Sequence, residues 1–291
     1  MMIEEQKPNN STEAAILPMQ CYVQPFWKHS DIEIYNESNL DTMSRMPDNC
    51  IDLTVTSPPY DNLRTYNGYS FDFQSVTKEL YRVTKKGGVV VWVVGDATVN
   101  GSETGTSFKQ ALYFMQCGFN LHDTMIYQKS GAGAVGSNKC YIQNFEYMFV
   151  FSKGKIKTTN LIEDRKNKKV CTTIANGSRC KNNADNERKY RIITTKEYGK
   201  RFNIWQIEQR NNQDEFHLLH PAPFPQQLAN DHIISWSNEG DVIYDPFGGS
   251  GTTCKMAYLS KRKSIMSEIS TEYCELSKQR LSEYLPKGLF A

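Results

Sequence analysis

Two short stretches of this chain carry residue types that could do chemistry. The first is "DLTVTSPPYDN", residues 52–62, where an apolar run from Leu53 to Val55 gives way to Thr56-Ser57-Pro58-Pro59-Tyr60. Proline lacks a backbone N–H and holds φ at about −65°, so Pro58 and Pro59 stiffen the chain and leave the carbonyls of Ser57 and Pro58 without a local donor. A hydroxyl, two fixed carbonyls and an aromatic ring suit a flat, amino-bearing substrate that stacks on Tyr60 and gives its NH2 hydrogens to the oxygens. By itself the stretch reads at least as well as a proline-stiffened turn with a buried tyrosine.

The second stretch is "DVIYDPFGGSGTTCKMA". A strand ends at Asp245, a turn follows through Pro246, Phe247, Gly248, Gly249, Ser250 and Gly251, and a helix opens at Thr252-Thr253. Glycines let a backbone approach a ligand closely, and a helix N-terminus offers N–H groups. Many strand-to-helix turns need glycine for geometry alone. Glu268, however, ends the next strand 19 residues after Gly249, where an acid accepts hydrogen bonds from ribose hydroxyls. The pair points to a nucleoside-containing cofactor. Cys254 in place of a third glycine disfavours a dinucleotide, and the absence of Gly-Lys-Ser/Thr rules out a P-loop.

The elements that must position these residues alternate. "CIDLTVT" is a strand, "SFDFQSVTKELYRVTK" an amphipathic helix closed by Lys86-Gly87-Gly88, and "GVVVWVVGD" a run of the kind a doubly buried parallel strand shows. "SFKQALYFMQCG" is a helix, and "FNLHDTMIYQ" and "FEYMFVFSKG" are strands. After a break the rhythm resumes with "FPQQLANDHIISWSN" (helix), "DVIYDPF" (strand), "GTTCKMAYLSKR" (helix), "KSIMSEIS" (strand) and "TEYCELSKQRLSEYL" (helix). This alternation predicts a doubly wound, mostly parallel α/β sheet. Carboxyl ends of its strands at the switch point are where ligands bind, and Ser57 to Tyr60 follows such an end.

The break, residues 153–215, is expected to be an insertion outside the sheet. From Lys153 to Arg210 it holds 16 Lys and Arg against 6 Asp and Glu, a surplus of ten in a chain of net charge +2. The rest is therefore net acidic by eight, and such asymmetry fits either a polyanion partner or a solvated lysine-rich insertion. At 291 residues with 39% hydrophobic and 23% charged, the composition is that of a soluble globular protein, and no apolar stretch approaches the roughly 20 residues of a membrane span. Eight cysteines without a CxxC pair, and an N-terminus lacking a signal pattern, predict reduced thiols, no metal site and a cytoplasmic location.

"TSPPY" together with "DPFGGSGTT" resembles the S-adenosylmethionine-dependent amino-methyltransferases of DNA. Their catalytic tetrapeptide is Asp, Asn or Ser, two prolines and an aromatic residue, and their cofactor turn is Phe-x-Gly-x-Gly, here Phe247, Gly249 and Gly251. The serine form looks like the N4-cytosine branch, and the order of catalytic motif, basic region and cofactor motif is that of the permuted β group. The resemblance implies an α/β Rossmann-like sheet with an inserted target-recognition region. It also implies that His220, Pro221, Phe224 and Pro225 of "LHPAPFPQQLA" touch the methionine end of the cofactor, and that Asp96 closes a strand beside the active site. One departure is visible: in "IYNESNLDTM" Ser38, preceded by Glu37, stands where relatives carry an Asp near the adenine.

The division expected is an N-terminal arm or edge element (1–30), a catalytic half (31–152), a target-recognition region (153–215) and a cofactor-binding half (216–291). The reaction implied is methyl transfer to N4 of a cytosine flipped out of double-stranded DNA, with restriction-modification as its setting. Ser57 and Pro58 would accept the amino hydrogens, Pro59 stiffen the site, and Tyr60 stack on the base. N6-adenine methylation on the same fold and a non-catalytic DNA-binding module remain the alternatives. A cognate restriction endonuclease acting separately, no membrane, and a monomer or homodimer complete the expectation.

Overall fold

The computed structural model describes residues 15–19, 23–59, 72–130, 141–168, 170, 172–176, 190–208, 216 and 225–285. Among them a nine-stranded sheet organises the chain. Its strands are β1 (Trp27–His29), β2 (Ile32–Tyr35), β3 (Ile51–Thr56), β4 (Thr84–Val94), β5 (Asn120–Lys129), β6 (Phe145–Ser152), β7 (Ile204–Ile207), β8 (Val242–Asp245) and β9 (Lys263–Ser267). They lie in the order β1-β2-β9-β8-β3-β4-β6-β5-β7. From β2 to β4 all neighbours are parallel. β6 runs against both β4 and β5, β7 is parallel to β5, and β1 is an antiparallel edge. The expected doubly wound, mostly parallel sheet is present.

β4 shows why its sequence is apolar without interruption. Val89 to Val94 are all at most 1% exposed, and alternate side chains leave opposite faces of a strand. Val90, Trp92 and Val94 meet α1 (Asn39–Arg45), α2 (Phe73–Val83) and α3 (Thr106–Gln116) in one core, through Met43, Leu80 and Phe114. Val89, Val91 and Val93 meet α4 (Gln226–Trp236) and α5 (Thr252–Leu259) in another, through Leu228, Trp236 and Ala257. α6 (Thr271–Ser282) joins Cys254 of α5 over β2 and β9, through Cys274 and Leu281.

Connections leave the sheet in opposite directions from its middle. β8 passes through α5 to β9 on one side, and β3 passes through α2 to β4 on the other. The boundary between β8 and β3 is the switch point, where a crevice opens at the carboxyl ends.

Two expectations are revised. Lys86-Gly87-Gly88 does not close α2. The helix stops at Val83, where Thr84 caps it with both its N–H and its hydroxyl on Leu80 O, and the glycines belong to β4. They answer close contacts: a Cβ on Gly88 would stand 2.9 Å from Asp52 O, and Gly87 (φ +85°) faces Lys157 at 2.9 Å. Residues 153–215 are not wholly outside the sheet, because β7 lies within them with Trp205 and Ile207 buried; four residues in a basic stretch are too few to show a period. Two small antiparallel ribbons, Arg165–Lys166 with Tyr198–Gly199 and Thr172–Asn176 with Tyr190–Thr194, form the separate part. Asn160 N–H on Ser235 O (2.8 Å), and Arg201 paired with both Asp164 and Asp231, fasten this region along α4. Within residues 1–30, β1 is an edge strand and Leu17 is buried in the core.

Trp92 is fully buried and donates from Nε1 to Gln110 Oε1 at 2.8 Å. Trp92→Ala should cost about 3–5 kcal/mol of unfolding free energy in urea titration. A loss under about 1 kcal/mol would show that this face of β4 is not the core of the fold.

Candidate active site

The two chemical stretches meet at the switch point through their last strand residues. Thr56, ending β3, donates from Oγ1 to Asp245 Oδ1, ending β8, at 2.7 Å; both residues are buried. Phe247 N–H donates to the same oxygen at 3.0 Å, and Thr253 of α5 donates to Val55 O at 3.3 Å. Burial holds the Asp245 carboxyl above the usual range, while the hydroxyls of Thr56 and Thr253 and the Phe247 N–H pull it back. Ser57 is therefore one residue from a bond that reaches into the glycine turn, although 189 positions separate Thr56 from Asp245. Pro58 is buried, and Ser57 and Pro59 are half-buried. Tyr60 lies outside the described residues.

The glycine turn is built by its conformations and by a tight wall. Gly249 (φ +50°) and Gly251 (φ +73°) take left-handed backbone, and Gly251 is the N-cap residue of α5. A Cβ on Gly248 would fall 2.3 Å from Met266 Cε and 3.0 Å from Met266 Cβ, so the turn lies tight against β9 and a side chain there would have to displace Met266. Gly248 N–H donates to Ser267 O at 3.0 Å and Gly251 N–H to Gly248 O at 2.8 Å. Glu268 accepts from Gly249 N–H (2.9 Å) and Ser270 N–H (2.8 Å). Its carboxyl is pushed up by burial and pulled back by these N–H groups. Backbone N–H partners do not use up a carboxylate with about four acceptor sites, so Glu268 both braces the turn and keeps capacity for a hydroxyl donor.

The other expected residues take definite places. Pro246 gives its carbonyl to Asn39 Nδ2 at 3.1 Å, and the Phe247 ring stands edge-on to Trp92 with centroids 6.1 Å apart. Ser250, Thr252 and Thr253 are buried under α6 and β3. Asp96, two residues past β4, accepts from the N–H (2.9 Å) and hydroxyl of Ser107, holding the first turn of α3. Pro225 is the buried N-cap residue of α4. His220, Pro221 and Phe224 lie outside the described residues. Ser38, at the departure noted above, caps α1 by accepting Asp41 N–H at 3.2 Å, while Glu37 is held by Thr42 Oγ1 (2.6 Å) and paired with Arg45.

Several supporting residues escaped the sequence reading. Asn36 bridges the β9–α6 turn, donating to Glu268 O at 2.9 Å and accepting from Thr271 Oγ1 at 2.7 Å. Asn39 secures Pro246, and Ser277 and Arg280 of α6 reach back to Gly249 and Ser250. Isolated Asn, Ser and Arg residues carry no periodic or spacing signal, so only Thr56, beside the proline motif, could have been found. Backbone groups, left-handed glycines and an acid at the end of the next strand form a cradle suited to a nucleoside cofactor. Half-buried Ser57 follows Thr56 directly, one residue from the bond to Asp245.

Comparison with known proteins agrees with this geometry. Residues 51–279 match a family described as DNA methylase. The orphan methyltransferase M.BamHII of Bacillus amyloliquefaciens is 58% identical over 239 residues, covering 81% of this chain and 90% of that protein. In fold, the PvuII DNA methyltransferase (cytosine-N4-specific) superposes with a TM-score of 0.69 at 20% identity, covering 91% of this chain and 90% of that one. The M1.HpyAVI–SAM complex gives 0.56 at 18% identity, covering 86% and 98%. At such identities the two structures speak for the shared fold.

The raised Asp245 carboxyl sets a pH dependence. An acid whose folded pKa exceeds its unfolded one binds more protons when folded, so stability falls as pH rises from the ordinary carboxylate value through the folded value, and is flat above it. Asp245→Asn should remove that slope in urea titrations across pH. Thr56→Val, which takes away a bond that lowers the pKa, should move the window upward and cost about 1–3 kcal/mol at neutral pH. Identical slopes in wild type and Asp245→Asn would refute the assignment.

Proposed function

The chain belongs to the N6/N4 DNA methylase family, and from that premise we propose that it methylates the exocyclic N4 of a cytosine extruded from double-stranded DNA. The family makes it a DNA methyltransferase dependent on S-adenosylmethionine. The observation that supports the reading most is the Thr56–Asp245 bond, because it sets an amino-recognising stretch and a nucleoside cradle at one end of one crevice.

The cradle fits S-adenosylmethionine: a turn pressed onto Met266 with glycine in left-handed conformation, and the Glu268 carboxylate at the end of β9. When bound, that cofactor supplies the electrophilic methyl group. Residues Asp245 to Thr253 would hold it from below, Glu268 at the ribose, and Pro225 with His220, Pro221 and Phe224 at the methionine end. Asp96 contributes through the fixed end of β4 and α3.

Ser57 Oγ and the Pro58 carbonyl accept the two hydrogens of the substrate amino group. Holding them draws the nitrogen toward tetrahedral geometry and localises a lone pair that the ring otherwise delocalises. Pro59 keeps the acceptors rigid, and Tyr60 stacks on the base, which has to leave the duplex to be reached. Position and fixed dipoles supply most of the acceleration. Serine ahead of the two prolines is what favours cytosine over adenine. Residues 31–152 and 216–291 supply catalysis and cofactor, and the basic 153–215 region supplies phosphate contacts and base readout, with β7 tying it into the sheet.

Ser57→Ala should leave S-adenosylhomocysteine affinity in calorimetry unchanged and lower methyl transfer by about 10²-fold or more; a wild-type rate would end the assigned role. Mass spectrometry of nucleosides from methylated DNA should show N4-methylcytosine. N6-methyladenine would overturn the choice of base, and cofactor binding without any incorporation would favour a binding module.

A further inference from the structure

We infer that Arg280 of α6 is a positioning residue for the cofactor: it clamps the glycine turn from behind and so sets how tightly S-adenosylmethionine is held. The inference rests on the turn being the cofactor cradle.

Ser277 and Arg280 are three residues apart and share a helix face. Ser277 Oγ donates to Gly249 O at 2.8 Å. Arg280 Nη1 reaches Ser250 O at 2.9 Å, Thr252 Oγ1 at 2.8 Å and Ser250 Oγ at 3.3 Å. The carbonyls of two successive turn residues are thus both drawn to α6. Peptide units here are trans, with N–H opposite C=O, so fixing Gly249 O turns the Ser250 N–H away from the helix.

Packing alone does not account for the residue. Arg280 is 0% exposed, and burying a guanidinium is costly where a methionine of similar reach would fill the space. What a guanidinium adds is Nη1, whose two hydrogens are held in the plane of the group and meet oxygens of Ser250 and Thr252. The segment it serves needs that stiffness, since left-handed Gly249 and Gly251 give up more backbone freedom on ordering than other residues would. Stiffening the turn before the cofactor arrives removes that cost from binding, which is how preorganisation raises affinity. A Cβ on Gly251 would stand 3.0 Å from Ser277 Oγ, so the helix already touches the turn and leaves little slack.

The test uses the 291-residue chain and its Arg280→Met, Arg280→Lys and Ser277→Ala variants. Measured quantities are kcat, KM for S-adenosylmethionine and for DNA, and the melting temperature with and without S-adenosylhomocysteine. Arg280→Met should raise KM for S-adenosylmethionine about tenfold, leave kcat and KM for DNA within about twofold, and shrink the melting shift given by S-adenosylhomocysteine. Arg280→Lys should recover part of the affinity, and Ser277→Ala should weaken it by about threefold. A folded Arg280→Met with unchanged KM for the cofactor would overturn the inference, as would a uniform fall in melting temperature without the KM–kcat split. Should Arg280→Met not fold, unchanged cofactor KM in both milder variants would overturn it equally. A wild-type chain giving no melting shift with S-adenosylhomocysteine would instead count against the cradle itself.

Discussion

The hydrogen bond from Thr56 to Asp245 closes the crevice on which the rest of the molecule depends. It joins the last residues of two parallel neighbours, β3 and β8, whose helices leave in opposite directions. Parallel strands side by side deliver their carboxyl ends to one place, and diverging connections keep that place open. The bond is buried, in surroundings that push Asp245 toward its neutral form. A buried acid is tolerable only when it is hydrogen-bonded, and Thr56 and the Phe247 N–H both donate to its Oδ1.

Around this lock the site is made of backbone, and side chains from several elements hold the backbone still. Glu268 and Asn36 brace the turn and the start of α6, Asn39 takes the Pro246 carbonyl, and Ser277 with Arg280 takes the carbonyls beyond. Asp96 and Glu37, also near carboxyl ends of strands, spend their oxygens on Ser107 and on Thr42 with Arg45. Two buried thiols, Cys50 ahead of β3 and Cys274 in α6, serve packing: burial lifts Cys50 to about 11 and Cys274 to about 12, far from the thiolate form at neutral pH.

Legibility in the sequence followed burial geometry. β4 was plain because both of its faces are covered, and Val89 to Val94 record that directly. The α/β alternation and the glycine turn were plain for the same local reason. The end of α2 is not legible locally, because Gly87 and Gly88 look like a helix stop, whereas they admit Asp52 O and the 155–157 segment. β7 was hidden in a basic stretch, since its membership depends on pairing with β5 rather than on its own four residues. α1, seven residues capped by Ser38, was too short to show a period.

By itself the sequence determined the class of sheet, the turn that needs glycine, the acid closing the following strand, and a hydroxyl ahead of two prolines. Each is written in consecutive residues, because backbone conformation and strand burial are local demands. Only the tertiary structure decided which of these meet. Thr56 finds Asp245, Arg280 finds Ser250 and Asn39 finds Pro246 across 189, 30 and 207 positions. Such pairings follow from strand order and helix placement, which no spacing along the chain encodes.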